Sequence, residues 1–471
     1  MPTTHSTVPN RQLHRQLRPR LPARRDLLAL RIGDLWGFFV AQDLAFWAMC
    51  FYLVVEYIRP QQLMGPVSGW PLGQIGLALA IGGYALSGAP GAGFKGIGTW
   101  LLLLFTLVIT ASSFTAFSPE ASFAKIRVWY SWVVIYFLII NVVNSKNRFK
   151  FYILLWLMCH YYMSQGGAKQ FAGRGFTFAS WGIIGAPGWF ENSGEFGIAM
   201  CMMFAVSWHY YVASKDHLTR WRKLFVLGMP VTAALGVLGS SSRGAMLGLA
   251  AIGVCVLVRN KINAKAILLV ALVAGASWFV IPEEQKARFS NAGDDGTSVS
   301  RKVYWKNGLI MARSHPLLGI GYENWLVFYR LYFVDSEASL ESNVRTIQVA
   351  HNIFIQCMAE LGYTGLFVFI LLILATVAIN YNTRVLAKAG HDPPDSFVIH
   401  MSYALDEAMW AYLVSGFFVT VLYYPFFWIN LAFVVALNAI VKRERSIGKA
   451  RAGRMPPVRG RGAIHEAVLT H

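Results

Sequence analysis

The sequence predicts an all-α integral membrane protein with about twelve transmembrane helices and one large, partly helical periplasmic loop. Hydrophobic residues make up 56% of the 471-residue chain and charged residues only 14%, whereas soluble domains carry about 25% charged residues. Apolar runs of about 20 residues, the length that crosses a bilayer, recur along the chain. These two observations exclude a soluble domain.

The predicted membrane segments are apolar and are separated by short polar stretches. They cover residues 35–57, 70–88, 98–117, 126–143, 149–165, 192–213, 223–240, 243–258, 264–281, 352–381, 403–422 and 424–441. Very short turns join two pairs of these segments, at residues 239–243 and 423–425. In the second turn, the proline at residue 425 breaks the helix. The domain prediction is a tail (1–33), nine helices (34–281), a large loop (282–350), three helices (351–441) and a second tail (442–471).

The distribution of basic residues sets the predicted orientation. Of the formal net charge of +19, more than half lies in the two tails, where residues 1–33 hold seven Lys/Arg against one acid and residues 441–471 hold eight against two. The positive-inside rule places both tails in the cytoplasm. We expect no nucleic-acid partner, because no basic stripe is interleaved with stacking aromatic residues.

The five cysteines predict neither a disulfide framework nor a zinc site. All five lie in apolar segments and none is spaced as C-x-x-C, so each is expected to act as a small hydrophobic residue.

Arg243 is the sharpest candidate for chemistry. It lies in G-S-S-S-R-G at a helix junction on the predicted periplasmic face. The positive-inside rule leaves few basic residues on that face. An arginine near hydrocarbon costs roughly 2.5–3.5 kcal/mol unless it finds a partner, and its planar fork of donors suits phosphate oxygens. The alternative is an arginine that reaches the membrane surface and binds helix-end carbonyls.

Three further cations lie on the same predicted face. Arg301 opens S-R-K-V-Y-W-K-N-G, which with Trp305 predicts an amphipathic helix at the membrane surface; a solvated helix end is the alternative. Lys169 and Arg174 lie in a Gly-rich loop predicted at 166–191. Gly-rich backbone can hold phosphates, but this loop lacks the P-loop pattern, so no nucleotide site is predicted.

His351 precedes the apolar run that begins at Ile353. Neutral imidazole is well matched to general-base work near pH 7, although a helix cap or a satisfied interfacial histidine is the alternative. Glu360, nine residues later, is a poor direct partner for His351 on one straight helix. Glu191 and Glu195, four apart on one helix face, could orient an arginine or polarise an acceptor hydroxyl, or form a structural ion pair.

Four more carboxylates lie in or beside apolar segments: Asp43, Glu56, Asp406 and Glu407. Ionisable groups in such segments are functional candidates. Proton or ion coupling through them would indicate a transporter, so that function class stays open.

Four motifs occur in order: S-S-S-R-G-A-M-L, S-R-K-V-Y-W-K-N-G-L-I-M-A, H-P-L-L-G-I-G-Y-E-N-W and A-H-N-I-F-I-Q-C-M-A-E-L-G-Y-T-G-L-F. This series resembles the O-antigen ligase and polysaccharide polymerase superfamily of the bacterial inner membrane, most strongly over residues 230–380. The resemblance implies a GT-C-type glycosyltransferase that takes a glycan from undecaprenyl diphosphate on the periplasmic side. The implied acceptor is lipid A–core in ligases and another glycan in polymerases, and no metal, cofactor or nucleotide sugar is implied.

Matched residue by residue, Arg243 corresponds to the family's helix-end arginine, Arg301 to its loop arginine, and His351, followed by Asn352, to its H-N motif. The family's Asn-containing segment before the sixth helix is matched loosely by Glu191 and Asn192.

The resemblance therefore implies roles for each group. Arg243 and Arg301, together with Arg174, would hold the diphosphate, and His351 would activate the acceptor, with inversion at the anomeric carbon. Tyr322 and Trp325 would shape the glycan groove. Ligase, polymerase and protein O-oligosaccharyltransferase stay open, and a lipid-linked glycan transporter is the alternative from another class.

Overall fold

The computed structural model describes residues 26–88, 96–178, 181–259, 296–344, 346–389 and 394–452, and these ranges contain helices and no strands. Four single turns, Leu27–Ala29, Pro60–Leu63, Gly65–Val67 and Lys215–His217, are not numbered. The helices are α1 (Ile32–Val40), α2 (Leu44–Ile58), α3 (Leu72–Ser87), α4 (Ile97–Phe114), α5 (Pro119–Val142), α6 (Lys146–Gly173), α7 (Ser193–Ser214), α8 (Arg220–Gly239), α9 (Arg243–Arg259), α10 (Gly296–Ser314), α11 (Trp325–Tyr332), α12 (Glu337–Glu341), α13 (Ile353–Ala389), α14 (Ser396–Gly416) and α15 (Pro425–Ala452).

Six of these helices are long and apolar enough to cross a membrane, namely α4, α5, α7, α8, α13 and α15. The helices α2 and α3 are apolar but shorter. An all-helical, multi-pass membrane protein agrees with the predicted class, while the count of twelve stays a prediction. The predicted segment 264–281 and most of both basic tails lie outside the described residues.

The centre of the bundle is α14, which packs against α7, α9, α13 and α15. Small residues allow its close approach to α9. A Cβ added at Gly248 would lie 2.1 Å from the Ser415 Oγ, and one at Gly244 would lie 3.1 Å from Phe418. Small residues at helix contacts let backbones approach closely, as is typical of membrane proteins.

Two predicted segment boundaries were wrong. The segment predicted at 35–57 is two helices, because the Asp43 carboxylate accepts a hydrogen bond from the Phe46 N–H and caps the start of α2. The segment predicted at 149–165 continues as α6 to Gly173, so Lys169 lies on a helix and not in the Gly-rich loop. At Gly167, a Cβ would lie 2.8 Å from the Phe196 ring, so glycine here serves helix packing.

The short turn predicted at 423–425 was also wrong. Helix α14 ends at Gly416, and residues 417–424 are not helical before α15 begins at Pro425. Side chains of the flanking helices hold this segment, since the Tyr412 hydroxyl donates to the Val421 carbonyl and the Trp428 indole donates to the Leu422 carbonyl. The segment is thereby fixed at one end of the bundle.

Helix α13 is broken at Gly362, which has φ 68° and ψ −174°. A second chain segment binds the break: the Ile320 N–H donates to the Ala359 carbonyl at 2.9 Å and the Gly321 N–H to the Glu360 carbonyl at 3.2 Å. The Tyr363 N–H donates back to the Pro316 carbonyl at 2.8 Å. These bonds satisfy backbone groups that the break releases.

The four carboxylates left without a predicted role all have cationic partners. Asp43 pairs with Arg148, Glu56 with Arg59, Asp406 with Arg384 and Glu407 with Arg259. Glu407 also binds His209, at 3.0 Å. Charges inside a membrane protein are usually paired in this way, so structural ion pairs account for these residues without ion coupling.

We expect Gly362→Ala to destabilise the protein by roughly 2–3 kcal/mol, because its backbone conformation is essentially restricted to glycine and the new Cβ would lie 2.4 Å from the Leu317 carbonyl oxygen. Thermal unfolding of the full chain in detergent measures this. Gly253→Ala is the matched control, since that helical glycine has nothing within 4 Å of an added Cβ. An equal loss of stability in both variants would show that the helix break does not specifically require glycine at position 362.

Candidate active-site cavity

A cavity of about 650 Å³ opens at the end of the bundle where α8 meets α9 and α14 meets α15. Seven parts of the chain line it: α5, the start of α7 with the preceding Trp189, the turn before α9, the start of α10, the region 322–326, the start of α13 with its preceding loop, and the segment 417–424. Its charged and imidazole groups are Lys125, Glu195, Arg243, Arg301, Glu323, His351 and Glu360. Arg243, Arg301 and His351, predicted from three separate motifs, therefore share one cavity.

Arg243 is the first residue of α9. The turn before it is fixed from both sides: the Ser242 Oγ accepts from the Ala245 N–H, and the Ile183 N–H donates to the Gly239 carbonyl. Gly182 permits this approach, since a Cβ there would lie 1.7 Å from the Ser240 carbonyl oxygen. The Gly-rich loop thus supports the arginine turn.

Arg301 lies near the start of α10, and its guanidinium carbon is 6.0 Å from the ring centroid of Phe418. The same helix supports the chain that leads to His351. The Trp305 indole donates to the Ala350 carbonyl at 3.1 Å, and the Trp305 ring packs edge-on against Phe417. The arginine and the histidine are therefore held by one helix.

His351 has a left-handed backbone, with φ 50°. Its N–H donates to the Thr420 Oγ1 at 2.7 Å, and its Nε2 lies 3.2 Å from the Gln348 Oε1. An amide oxygen can only accept, so Nε2 carries the proton and Nδ1 keeps its lone pair. Burial, and then the charge of Arg301, lowers the pKa of His351 to about 4, so the imidazole is neutral at pH 7.

The N-termini of α7 and α9 both line the cavity. In α7, Asn192 and Glu195 form a reciprocal capping box: the Asn192 Oδ1 accepts from the Gly194 N–H and the Glu195 carboxylate from the Asn192 N–H. Helix N-termini carry partial positive charge and attract anions. Glu191 precedes the helix and accepts from the Gly188 N–H, so the prediction that Glu191 and Glu195 share a helix face was wrong.

Tyr322 and Trp325 line the cavity, and both are buried. The Tyr322 ring packs edge-on against Tyr423, with centroids 4.6 Å apart, and the Trp325 indole donates to the Gln348 carbonyl. Asn352 is buried outside the lining, where its Oδ1 accepts from the N–H groups of Phe354 and Ile355 at the start of α13.

Lys169 and Arg174 do not line this cavity. Both side chains are exposed, Lys169 on the last turns of α6 and Arg174 just after its end. The prediction placed both residues in a loop near the cavity. Because α6 continues to Gly173, Lys169 lies on this helix and Arg174 directly after it.

The sequence assigned no site role to three charged cavity residues, Lys125, Glu323 and Glu360, of which Glu360 was considered only as a partner of His351. Glu360 lies before the helix break, where its carboxylate accepts from the Trp325 N–H at 3.0 Å and from the Gln356 amide at 3.3 Å. Lys125 and Glu323 also line the cavity. The motif letters Y-E-N and A-E-L contain both glutamates, but nothing in their spacing separates them from surface residues.

Within the described residues, no group of three or more His, Cys, Asp or Glu side chains is placed to hold a metal ion. All five cysteines are free thiols. The ionisable side chains of the cavity are those of arginine, lysine, histidine and glutamate, apart from the tyrosine hydroxyls.

Comparison with known proteins adds two family matches. Residues 31–213 match a family of unknown function. Residues 229–370 match the family described as O-Antigen ligase, a range that contains Arg243, Arg301, Glu323, His351 and Glu360. Among curated proteins the chain has no significant match. The match to the O-antigen ligase family covers the part of the chain that holds both arginines and the histidine of the cavity, and it supports the resemblance to the O-antigen ligase/polymerase superfamily.

Proposed function

We propose that this protein is an inverting, metal-independent glycosyltransferase that moves a glycan from undecaprenyl diphosphate to an acceptor hydroxyl on the periplasmic side of the bacterial inner membrane. The observation that carries the proposal is the presence of Arg243, Arg301 and His351 in one cavity. A lipid-linked glycan donor and a glycan acceptor are what the family implies.

The arginines suit a diphosphate leaving group. When the anomeric C–O bond breaks, negative charge grows on the departing phosphate oxygen. Guanidinium groups and helix N-termini that already point at that position stabilise this charge without reorganisation, and a site partly shielded from water strengthens the effect. Arg243, Arg301 and the start of α9 provide such groups. We assign them to the donor.

His351 suits the acceptor. Its neutral Nδ1 can accept the proton that the acceptor hydroxyl loses as its oxygen attacks the anomeric carbon. Attack opposite the diphosphate inverts that carbon. The charge of Arg301 lowers the basicity of His351 in the free protein, and a bound diphosphate would offset that charge. The general base would therefore become stronger once the donor is in place.

The basic residues at the opposite end of the bundle indicate the orientation of the protein in the membrane. Lys146 pairs there with both Asp395 and Glu444, and the first turn of α8 at the same end holds the basic residues Arg220, Arg222 and Lys223. By the positive-inside rule that end is cytoplasmic, so we assign the cavity to the periplasm and both termini to the cytoplasm.

Among the activities of the superfamily we propose lipid A–core as the acceptor. Deletion of the protein in its host should abolish polymer-capped lipopolysaccharide on gels. Retained capping with shortened polymer chains would instead indicate a polymerase, and a defect confined to glycoproteins would indicate protein O-glycosylation. A transporter is disfavoured, because the four membrane carboxylates that could couple ions form ion pairs.

His351→Ala should reduce transfer at least a hundredfold, since general-base assistance is worth about 10²–10⁴, while binding of undecaprenyl diphosphate persists. Transfer in reconstituted membranes and lipid binding by the purified protein measure the two effects. His315→Ala is the matched control, because His315 is exposed and lies outside the cavity lining. Full activity in His351→Ala would remove His351 from the mechanism.

Arg301→Gln should raise the pKa of His351 above about 4, because the variant removes a positive charge that opposes imidazole protonation. Hydrogen–deuterium exchange at the imidazole C2 position, followed by mass spectrometry across pH 3–8, measures that pKa. Lys302→Gln, a change at the exposed neighbouring residue, should leave it unchanged. A His351 pKa that is identical in Arg301→Gln and the wild type would contradict the proposed arrangement.

A further inference from the structure

Three non-glycine residues of the cavity lining have a left-handed backbone: Ser241 with φ 53°, Glu323 with φ 56° and His351 with φ 50°. Such conformations are strained for residues that carry a Cβ, and they collect at functional sites. Ser241 belongs to the turn that presents Arg243, and His351 is the proposed base. Glu323 has the same strain and no role in the mechanism above.

The neighbours of Glu323 keep it in this conformation. On one side the Tyr322 carbonyl accepts from the Ser122 Oγ at 2.6 Å. On the other side the Asn324 side chain accepts from the Ser118 N–H at 2.7 Å and donates to the Ser122 Oγ at 2.8 Å. Because both flanking residues are fixed to the start of α5, the backbone between them has little freedom. The Glu323 side chain is thereby held at the cavity.

Within the described part of the chain, the Glu323 carboxylate makes no hydrogen bond or ion pair, although its side chain is only partly exposed. Burial raises its pKa, and Lys125 is the cation that opposes this shift. Lys125 also lines the cavity, with an exposed side chain. A strained carboxylate without a protein partner is unusual, because burying such a group without compensation is costly.

We propose that Glu323 and Lys125 form a subsite that binds the hydroxyl groups of the acceptor sugar. This proposal rests on the proposed function. A carboxylate only accepts hydrogen bonds and repels anions, so its ligand must be a donor such as a sugar hydroxyl, not the diphosphate. The Lys125 ammonium supplies complementary donors to sugar oxygens.

The acceptor fits this subsite better than the donor does. The donor is already anchored by its diphosphate at Arg243 and Arg301, and Arg301 is the charge that acts on His351. Lys125 is the charge that acts on Glu323. Lys125 on α5 and Glu323 in the region 322–326 come from other elements than the two arginines, and the exposed side chain of Lys125 leaves this part of the cavity open to a second substrate.

Glu323→Gln should raise the KM for rough lipopolysaccharide as acceptor about tenfold, while the KM for the undecaprenyl-diphosphate-linked donor and the Kd for undecaprenyl diphosphate stay within twofold. Glu323→Asp, which keeps the charge, should recover part of the loss. These measurements use the full chain in reconstituted membranes.

The variant Glu323→Gly separates a binding role of Glu323 from a structural role, because a residue with only a structural role would not lose transfer while the protein becomes more stable. Glycine adopts this backbone without strain, so the melting temperature should rise by about 1–3 °C while transfer falls at least tenfold. Asn343→Gly is the matched control, because Asn343 has φ 51° and is exposed outside the cavity lining; its transfer should not change.

Unchanged KM values in Glu323→Gln would overturn the subsite, and so would a rise in the donor KM alone. A wild-type protein that binds no undecaprenyl diphosphate would overturn the proposed function itself. The two failures are distinguishable because the first appears in the acceptor KM and the second in donor binding.

Discussion

The break in α13 at Gly362 is the constraint on which the cavity depends. A helix that ends inside the bundle exposes carbonyl groups that water cannot reach, so other protein groups must satisfy them. The segment 316–321 does so, with N–H groups bound to the carbonyls of Ala359 and Glu360. The Ser112 hydroxyl also donates to the Glu360 carbonyl at 2.9 Å. The motif H-P-L-L-G-I-G-Y-E-N-W and the motif that contains A-E-L-G-Y are therefore joined into one structural unit. That unit sets the positions of Glu323 and Glu360.

The cavity that this unit helps to form has its basic and its acidic side chains on different elements. Arg243 and Arg301 come from helix starts on α9 and α10, whereas Glu323 and Glu360 belong to the unit around the break. A transferase needs such a division, because its donor is an anion and its acceptor is a neutral hydroxyl. The arrangement agrees with two substrates that meet between the two groups.

The sequence predicted some of these features and missed others for physical reasons. Local signals made Arg243, Arg301 and His351 candidates with structural alternatives, and only the order of their motifs, which resembles the O-antigen ligase/polymerase superfamily, implied roles for them. The break in α13 was missed, since apolar residues continue on both sides of Gly362 and their pattern is that of one helix. Lys125 and Glu323 were missed as well, because only tertiary contacts bring them to the cavity. The length of the non-helical segment 417–424 was missed too, since Pro425 marks where a helix starts but does not indicate the length of the preceding loop.

The strained backbone at Ser241, Glu323 and His351 connects the fold to the chemistry. Glycine would relieve the strain at any of the three positions, yet it would also remove a hydroxyl, a carboxylate or an imidazole from the cavity. Proteins commonly retain local strain where a side chain must point in a direction that a relaxed backbone does not allow, and stability is lost in exchange. Here the surrounding hydrogen bonds supply the compensation: Thr420 binds the His351 backbone, and Ser118 and Ser122 fix the residues beside Glu323. His351 and Glu323 are therefore held by different parts of the chain, so this side of the cavity is fully formed only when α5, α13 and the segment 417–424 have packed together.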